Sequence, residues 1–192
     1  MLQRSDLWSL EEYSEQRTAF RTEVLAHKQD RRVILGDYVL LTFEDSVTIK
    51  YQIQEMLRIE KIFEATGIQE ELDAYNPLIP DGNNWKCTML IQYEDVEMRK
   101  RRLTELVGIE DRIWVQIGDS KKVFAIADED MQRSNDDKTS AVHFMRYQLD
   151  HSQIERAKSG AGIVFGVEHI AFPCDAVAVN EATRCSLVAD LN

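Results

Sequence analysis

The residues best suited to chemistry lie between Gln52 and Asn76: Gln52, Glu55, Arg58, Glu60, Glu71, Asp73, Tyr75 and Asn76. Carboxylates and amides on neighbouring turns offer oxygen ligands to a hard or borderline cation, or a general base beside groups that orient a substrate. With Ile53 as reference on a helical wheel, Met56, Leu57 and Glu60 follow at offsets of three, four and seven, so they share one face. Glu60 is thus expected among apolar residues, where an unpaired charge is costly; it must be paired, protonated or ligating. Glu64 extends that face, whereas Gln54, Glu55 and Arg58 point elsewhere and can pair with one another. Glu71 precedes Tyr75 by four residues, and Asp73 precedes Asn76 by three, so each pair is adjacent on a helix.

Three readings of this segment stand side by side. The carboxylates can close an architectural ion-pair network with Arg17, Arg31, Arg32 or Arg58. Glu60 and Glu71 can ligate a metal ion. Or Glu60 or Glu71 acts as a general base, Arg58 holds an anionic substrate group, and Tyr75 and Asn76 orient it.

Other features carry less. His27, His143, His151 and His169 are scattered and form neither HxH nor HExxH spacing, so each taken alone reads as structural or exposed. No Glu-x-x-His occurs, which argues against a di-iron carboxylate centre. The run "SGAGIVFG" has the wrong glycine spacing for a dinucleotide loop and follows a helix, so Gly160 reads as a helix C-cap. No G-x-S-x-G is present. Cys87, Cys174 and Cys185 are odd in number and widely spaced, which points to reduced thiols in the cytoplasm, with Cys87 buried in a strand.

The elements that must position these residues are short and interspersed. Ser9 and Glu12 form a capping box that starts a helix near Leu10, running to about Lys28 with Arg17 on its apolar side. "RRVILGDYVLLTFEDSVTIKY" reads as short strands with turns at Gly36-Asp37 and Glu44-Asp45-Ser46. A helix through the candidate segment is interrupted at Gly67, and a shorter one carries Ile68, Leu72 and Tyr75. Pro77, Pro80 and "DGNN" make a loop over 77–84, the one candidate sub-boundary in a single domain spanning 1–192. Beyond it the pattern predicts strands over 85–93, 112–117, 123–127, 141–149, 163–167 and 169–172, and helices over 95–107, 152–158 and 180–191. "DEDMQRSNDDK" is acidic, poor in apolar residues and expected to be mobile. The class is α+β, a single domain with a mixed, mainly antiparallel sheet flanked by helices.

The chain has 192 residues, 44% hydrophobic and 30% charged, with a net charge of −11. That balance argues against nucleic-acid and anionic-membrane binding. The basic run Arg99-Lys100-Arg101-Arg102 reads as the solvated face of a helix, with an anion patch as the alternative. No apolar run is long enough to span a bilayer, and the N-terminus does not read as a signal peptide, so a cytoplasmic location is expected.

"HKQDRRVILGDYVLLTFEDSVTIKYQIQEMLRIEKIF", "ELDAYNPLIP" and "ELVGIEDRIWVQIG" resemble the bacterial family catalogued as domain of unknown function 3501. The resemblance runs from about Glu11 to Leu191. Many members carry a His-Pro pair where this chain has His169-Ile170. The family is uncharacterised, so the resemblance implies context, not reaction. Its members tend to be encoded beside a rubrerythrin-like protein and an iron–sulfur protein resembling a heterodisulfide reductase subunit. This implies an accessory role with redox partners in peroxide defence or electron transfer. No cofactor follows from the residues, and a homo-oligomer is compatible with them.

Overall fold

A computed structural model of the chain describes residues 1–135 and 137–192. Helix α1 (Leu10–His27) begins where the S-x-x-E spacing predicts: Ser9 Oγ accepts from the Glu12 N–H, and the Glu12 carboxylate accepts from the Ser9 N–H at 2.9 Å. Strands β1 (Arg32–Leu35) and β2 (Val39–Phe43) form a hairpin through Gly36, whose φ is +57°.

The next segment departs from the strand reading. Helix α2 (Ser46–Glu60) starts at once, because Asp45 caps the N–H groups of Val47 and Thr48, each at 2.9 Å. Thr48 closes the box by accepting from the Asp45 N–H at 3.0 Å and donates to Glu44 at 2.6 Å. Those capping bonds outweigh the β propensity of Val47, Thr48 and Ile49. The helix also ends earlier than expected, at Lys61, which sits in the left-handed region at φ 57°. Gly67 lies inside the first turns of α3 (Ala65–Tyr75). A Cβ there would stand 2.7 Å from Ile62 Cγ2, so its role is to admit Ile62 against the helix.

After the 77–84 loop come β3 (Asn84–Ile91), α4 (Val96–Glu105), β4 (Ile113–Ile117), β5 (Val123–Phe124), β6 (Ile126–Ala127) and β7 (Val142–Gln148). Then follow α5 (His151–Lys158), β8 (Ile163–Val167), β9 (Val177–Ala178) and α6 (Glu181–Val188). The strand expected over 169–172 is absent: His169 accepts from the Ala171 N–H and the chain turns there, and pairing resumes at β9. The strand expected over 123–127 splits into β5 and β6, which pair in different sheets.

The fold is α+β, and every strand pair among the described residues is antiparallel. One sheet has the order β1-β2-β3-β7-β6 and the other β5-β4-β8-β9. Their facing sides share one core, which includes Leu41, Phe43, Trp85, Tyr147, Val115 and Phe165. A second, smaller core of Ile49, Ile53, Leu57, Leu72 and Ile79 holds α2 and α3 together. Thus α1–α3 form a third layer over the outer face of the five-stranded sheet. Arg31, 1% exposed, ties that layer to the C-terminus, donating to the Phe43 and Glu44 carbonyls, Ser186 and Asp190. No helix among the described residues is long and apolar enough to cross a membrane.

Candidate functional site

The eight residues singled out by spacing do not converge on one point. Glu55 is consumed by α1. It accepts from Tyr13 Oη at 2.7 Å, from Arg17 Nε and Nη2 at 2.7 and 2.9 Å, and from Arg58 twice at 3.3 Å. The Arg17 hydrogen bond is the main reason its carboxyl is held down to about 2, against the opposing effect of burial. This is the architectural network, built with Arg17 and Arg58 rather than Arg31 or Arg32. Gln54 joins the same seam; it is fully buried and accepts from the Trp8 N–H at 2.7 Å. It is buried even so, because the segment leading into α1 covers that side of α2.

Asn76 clasps the chain start through the Leu2 N–H (2.8 Å) and carbonyl (2.9 Å). Glu60 is exposed, contrary to its place on the apolar wheel. It is the last residue of α2, and the left-handed turn at Lys61 leads the chain away before anything covers that position. Glu71 is half-buried, and its carboxyl is pushed up first by burial and then by the Glu60 and Glu70 charges. No third ligating group joins Glu60 and Glu71 among the described residues.

The remaining three, Gln52, Asp73 and Tyr75, reach the space between the helical layer and the sheet. A cleft of about 990 Å3 runs between α3 with its following turn and the outer face of β3 and β7. Ala74, Pro77, Leu78 and Phe144 line it with apolar surface. A smaller cavity of about 250 Å3 adjoins it across Tyr75, Leu78 and Phe144, and contains Gln52, Glu44, Thr48 and Thr88. There Glu44 accepts from Thr48 and from Thr88, the latter at 2.8 Å.

Charge in the larger cleft is unbalanced. Lys86 and Arg146 are its two cations, and both are occupied from within. Lys86 Nζ donates to the Pro77 and Ile79 carbonyls at 2.8 and 2.9 Å and pairs with Asp81 at 3.0 Å. Arg146 pairs with Glu129 at 2.7 Å and donates to Gln148 at 2.5 Å. Against them stand four carboxylates: Asp73, Asp81, Glu129 and Asp130. Asp81 is pushed up by burial, but hydrogen bonds from Asn84 and Lys86 win and lower it. Arg146 lowers Glu129, and Arg133 lowers Asp130. These rim groups are therefore ionised at neutral pH. None of the described residues lining the cleft is Ser, Thr, Cys or His.

A second constellation escaped the spacing argument. His143 is fully buried at a core-facing position of β7, between the loop before that strand and the turn before β4. Its Nδ1 is 2.7 Å from Asp128 Oδ2. Its Nε2 lies 2.8 Å from Thr139 Oγ1, 3.1 Å from the Ser140 carbonyl and 4.0 Å from Glu110 Oε2. Thr139 Oγ1 also donates to Glu110 at 3.1 Å and meets Ser134 Oγ at 2.8 Å; Ser134 in turn donates to Glu110. Asp128 additionally pairs with Arg133 at 3.2 Å. Glu110, Asp128 and His143 each offer one ligand atom, all within 4.8 Å of one another. The segment expected to be mobile thus contributes Asp128, Arg133 and Ser134 to this cluster; its Asp136 lies outside the described residues. One signal in the sequence was readable: the alternation His143, Met145, Tyr147 puts the histidine on the core side of its strand.

Cys87 is buried, as its strand position implied, and burial pushes its thiol up. Gly160 does follow the α5 C-cap, at φ +92°.

No curated protein matches the chain. A crystal structure of a protein of unknown function from Burkholderia pseudomallei K96243 is similar to it at 46% identity and TM-score 0.95, covering 100% of this chain and 99% of that one. A family model described as protein of unknown function (DUF3501) matches residues 1–191. The chain therefore belongs to the DUF3501 family.

Proposed function

We propose that the protein binds a small organic cation, an amine or guanidine with an apolar body, in the cleft between α3 and the five-stranded sheet. The observation that carries this reading is a cleft of about 990 Å3 with an apolar floor and a lining in which carboxylates outnumber cations. Its volume falls at the upper end of the range of small-molecule sites, roughly 300–1,000 Å3. Lys86, Arg146 and Arg133 are already engaged by Asp81, Glu129 and Asp130, so Asp73 is the rim carboxylate with no cation beside it among the described residues and is open to a ligand ammonium.

The test is a melting-temperature screen of amines, carboxylic acids and neutral analogues, since any ligand of the native state alone raises its stability. Amines should give the positive shifts, and Leu78→Trp, which fills the cleft, should remove them. Shifts confined to acids would reverse the reading of the site.

A second reading is an accessory role with redox partners such as rubrerythrin-like or iron–sulfur proteins in the cytoplasm. It is supported by Ile59 and Phe63, which are 60% and 70% exposed at the α2–α3 turn and offer apolar anchors to a partner. Titration of a purified rubrerythrin-like protein tests it. Association that survives Ile59→Ser with Phe63→Ser would remove this surface from consideration.

A further inference from the structure

We infer that His143 and Glu110 form the core of a binding site for one divalent metal ion of borderline to hard character, such as Zn2+ or Mn2+. Asp128 acts as the group that orients the imidazole. This site is separate from the cleft and does not depend on the ligand proposed there.

The argument starts from the histidine's two nitrogens. Nδ1 faces the Asp128 carboxylate at 2.7 Å, which can only accept when ionised, so Nδ1 carries the proton. That is the arrangement by which a metal-binding histidine is held in one tautomer with its other nitrogen free to ligate. Nε2 faces only oxygen: Thr139 Oγ1 at 2.8 Å, the Ser140 carbonyl at 3.1 Å and Glu110 Oε2 at 4.0 Å. A carbonyl oxygen cannot donate to it. Thr139 has one hydroxyl proton within reach of both Nε2 and Glu110, so the nitrogen's lone pair and the carboxylate compete for it, and a metal ion bound by both would satisfy each.

Glu110 makes the same demand from the other side. It is 5% exposed, and its hydrogen-bond partners are two hydroxyls, those of Ser134 and Thr139. Its sole cationic candidate among the described residues is His143 itself, at 4.0 Å. The neighbouring Arg133 is directed to Asp128 and Asp130 instead. A buried carboxylate without a close cation is costly, and an ion bound by both groups removes that cost. Metal–ligand bonds of about 2.0–2.2 Å place two ligand atoms roughly 3–4 Å apart, and Nε2 and Oε2 are 4.0 Å apart. Thr139 Oγ1, 2.8 and 3.1 Å from them, supplies a third donor on the same side. One imidazole with carboxylate and hydroxyl oxygens suits a borderline ion better than a soft one. The site also fastens the segment that carries Glu129 and Asp130 to the cleft rim, so occupancy should tighten that rim.

The experiment is titration of chelator-treated full-length protein with Zn2+ by calorimetry and with Mn2+ by electron paramagnetic resonance. The expected result is one equivalent bound with a Kd below about 10 µM, lost in Glu110→Gln and in His143→Gln. Asp128→Asn should still bind, about 10–100-fold more weakly. Circular dichroism checks that each variant is folded; if the first two are not, the wild-type titration with Asp128→Asn decides. No saturable binding by wild type would overturn the proposal. Equal binding by wild type and Asp128→Asn would also overturn it, assigning the metal to the acidic surface.

Discussion

Lys61 and Asp128 share a backbone conformation and little else. They are the non-glycine residues with positive φ among the described residues, at 57° and 54°. Lys61 ends α2; its N–H bonds to the Leu57 carbonyl and its side chain is exposed. Asp128 follows β6, and its N–H bonds to the Phe144 carbonyl at 2.9 Å. Its carboxylate, however, holds His143 and Arg133. At Lys61 the backbone needs the conformation and any residue able to adopt it would serve. At Asp128 the conformation serves to aim a side chain into a buried cluster. A left-handed residue costs roughly 1–2 kcal/mol when it carries a Cβ, and strain of that kind tends to persist where function or a rigid surround requires it.

Replacing Asp128 by glycine separates the two uses and should give the largest change. The backbone strain is relieved, but His143 and Arg133 lose their carboxylate, and hydrogen bonds to charged groups are worth about 1.5–3 kcal/mol each. The net expectation is a loss of roughly 2–3 kcal/mol in urea denaturation, at unchanged m-value. A variant as stable as wild type would show that the carboxylate holds nothing, and the contrast with Lys61 would vanish.

The carboxylate of Glu55 sharpens the comparison from the side of α2. Unlike Glu110, it is satisfied by two guanidinium groups and a phenol. Such a group is fully engaged and has no capacity left for an ion. Glu55→Gln should cost about 1–2 kcal/mol, since it loses charge-assisted bonds but keeps its shape. The pH dependence follows from the Arg17 pairing, which lowers the folded value from 4.5 to about 2. A depressed carboxyl stabilises the fold fully above its unfolded value and ceases to do so as pH falls through the folded one. Melting curves of wild type and variant should therefore differ steadily above pH 5 and converge between roughly pH 4.5 and 2. A gap that persists at pH 2 would mean that Glu55 acts through packing instead of charge.

The two regions also differ in how far they could be read in advance. The α1 start, the β1–β2 hairpin, β3, β7 and α6 follow from caps and alternation because each depends on neighbours within a few residues. The α2 start was misread for a local reason as well: Asp45 and Thr48 spell a capping box, but Val47, Thr48 and Ile49 read as strand. Glu60 was placed on the apolar face because a wheel assumes that the helix continues, whereas Lys61 ends it. The buried cluster is a different matter. Asp128 and His143 are 15 residues apart, and Glu110 and Thr139 are 29 apart. Nothing in local spacing brings them together; β6 pairing with β7 does. The candidate segment gave up Asp73 and Tyr75 to the cleft and Gln52 to the smaller cavity beside it, while the cleft's cations and its opposite wall come from β3 and β7, which only the tertiary fold sets against α3.

Lys61→Gly is the smallest test and the one that isolates the backbone. The side chain is exposed and makes no ion pair among the described residues. Glycine adopts φ near +57° without the Cβ penalty, but it also widens the unfolded ensemble, which offsets part of the gain. The balance should be a stabilisation of about 0.5–1 kcal/mol, seen as a rise in melting temperature of roughly 1–4 °C for a chain of this length. Differential scanning calorimetry resolves a change of that size. Because Lys61→Gly and Asp128→Gly make the same substitution at nearly the same φ, their opposite signs would assign the difference to the Asp128 carboxylate. Two stabilising glycines would instead assign both positions to turn geometry, and the cluster around His143 would have to be held without Asp128.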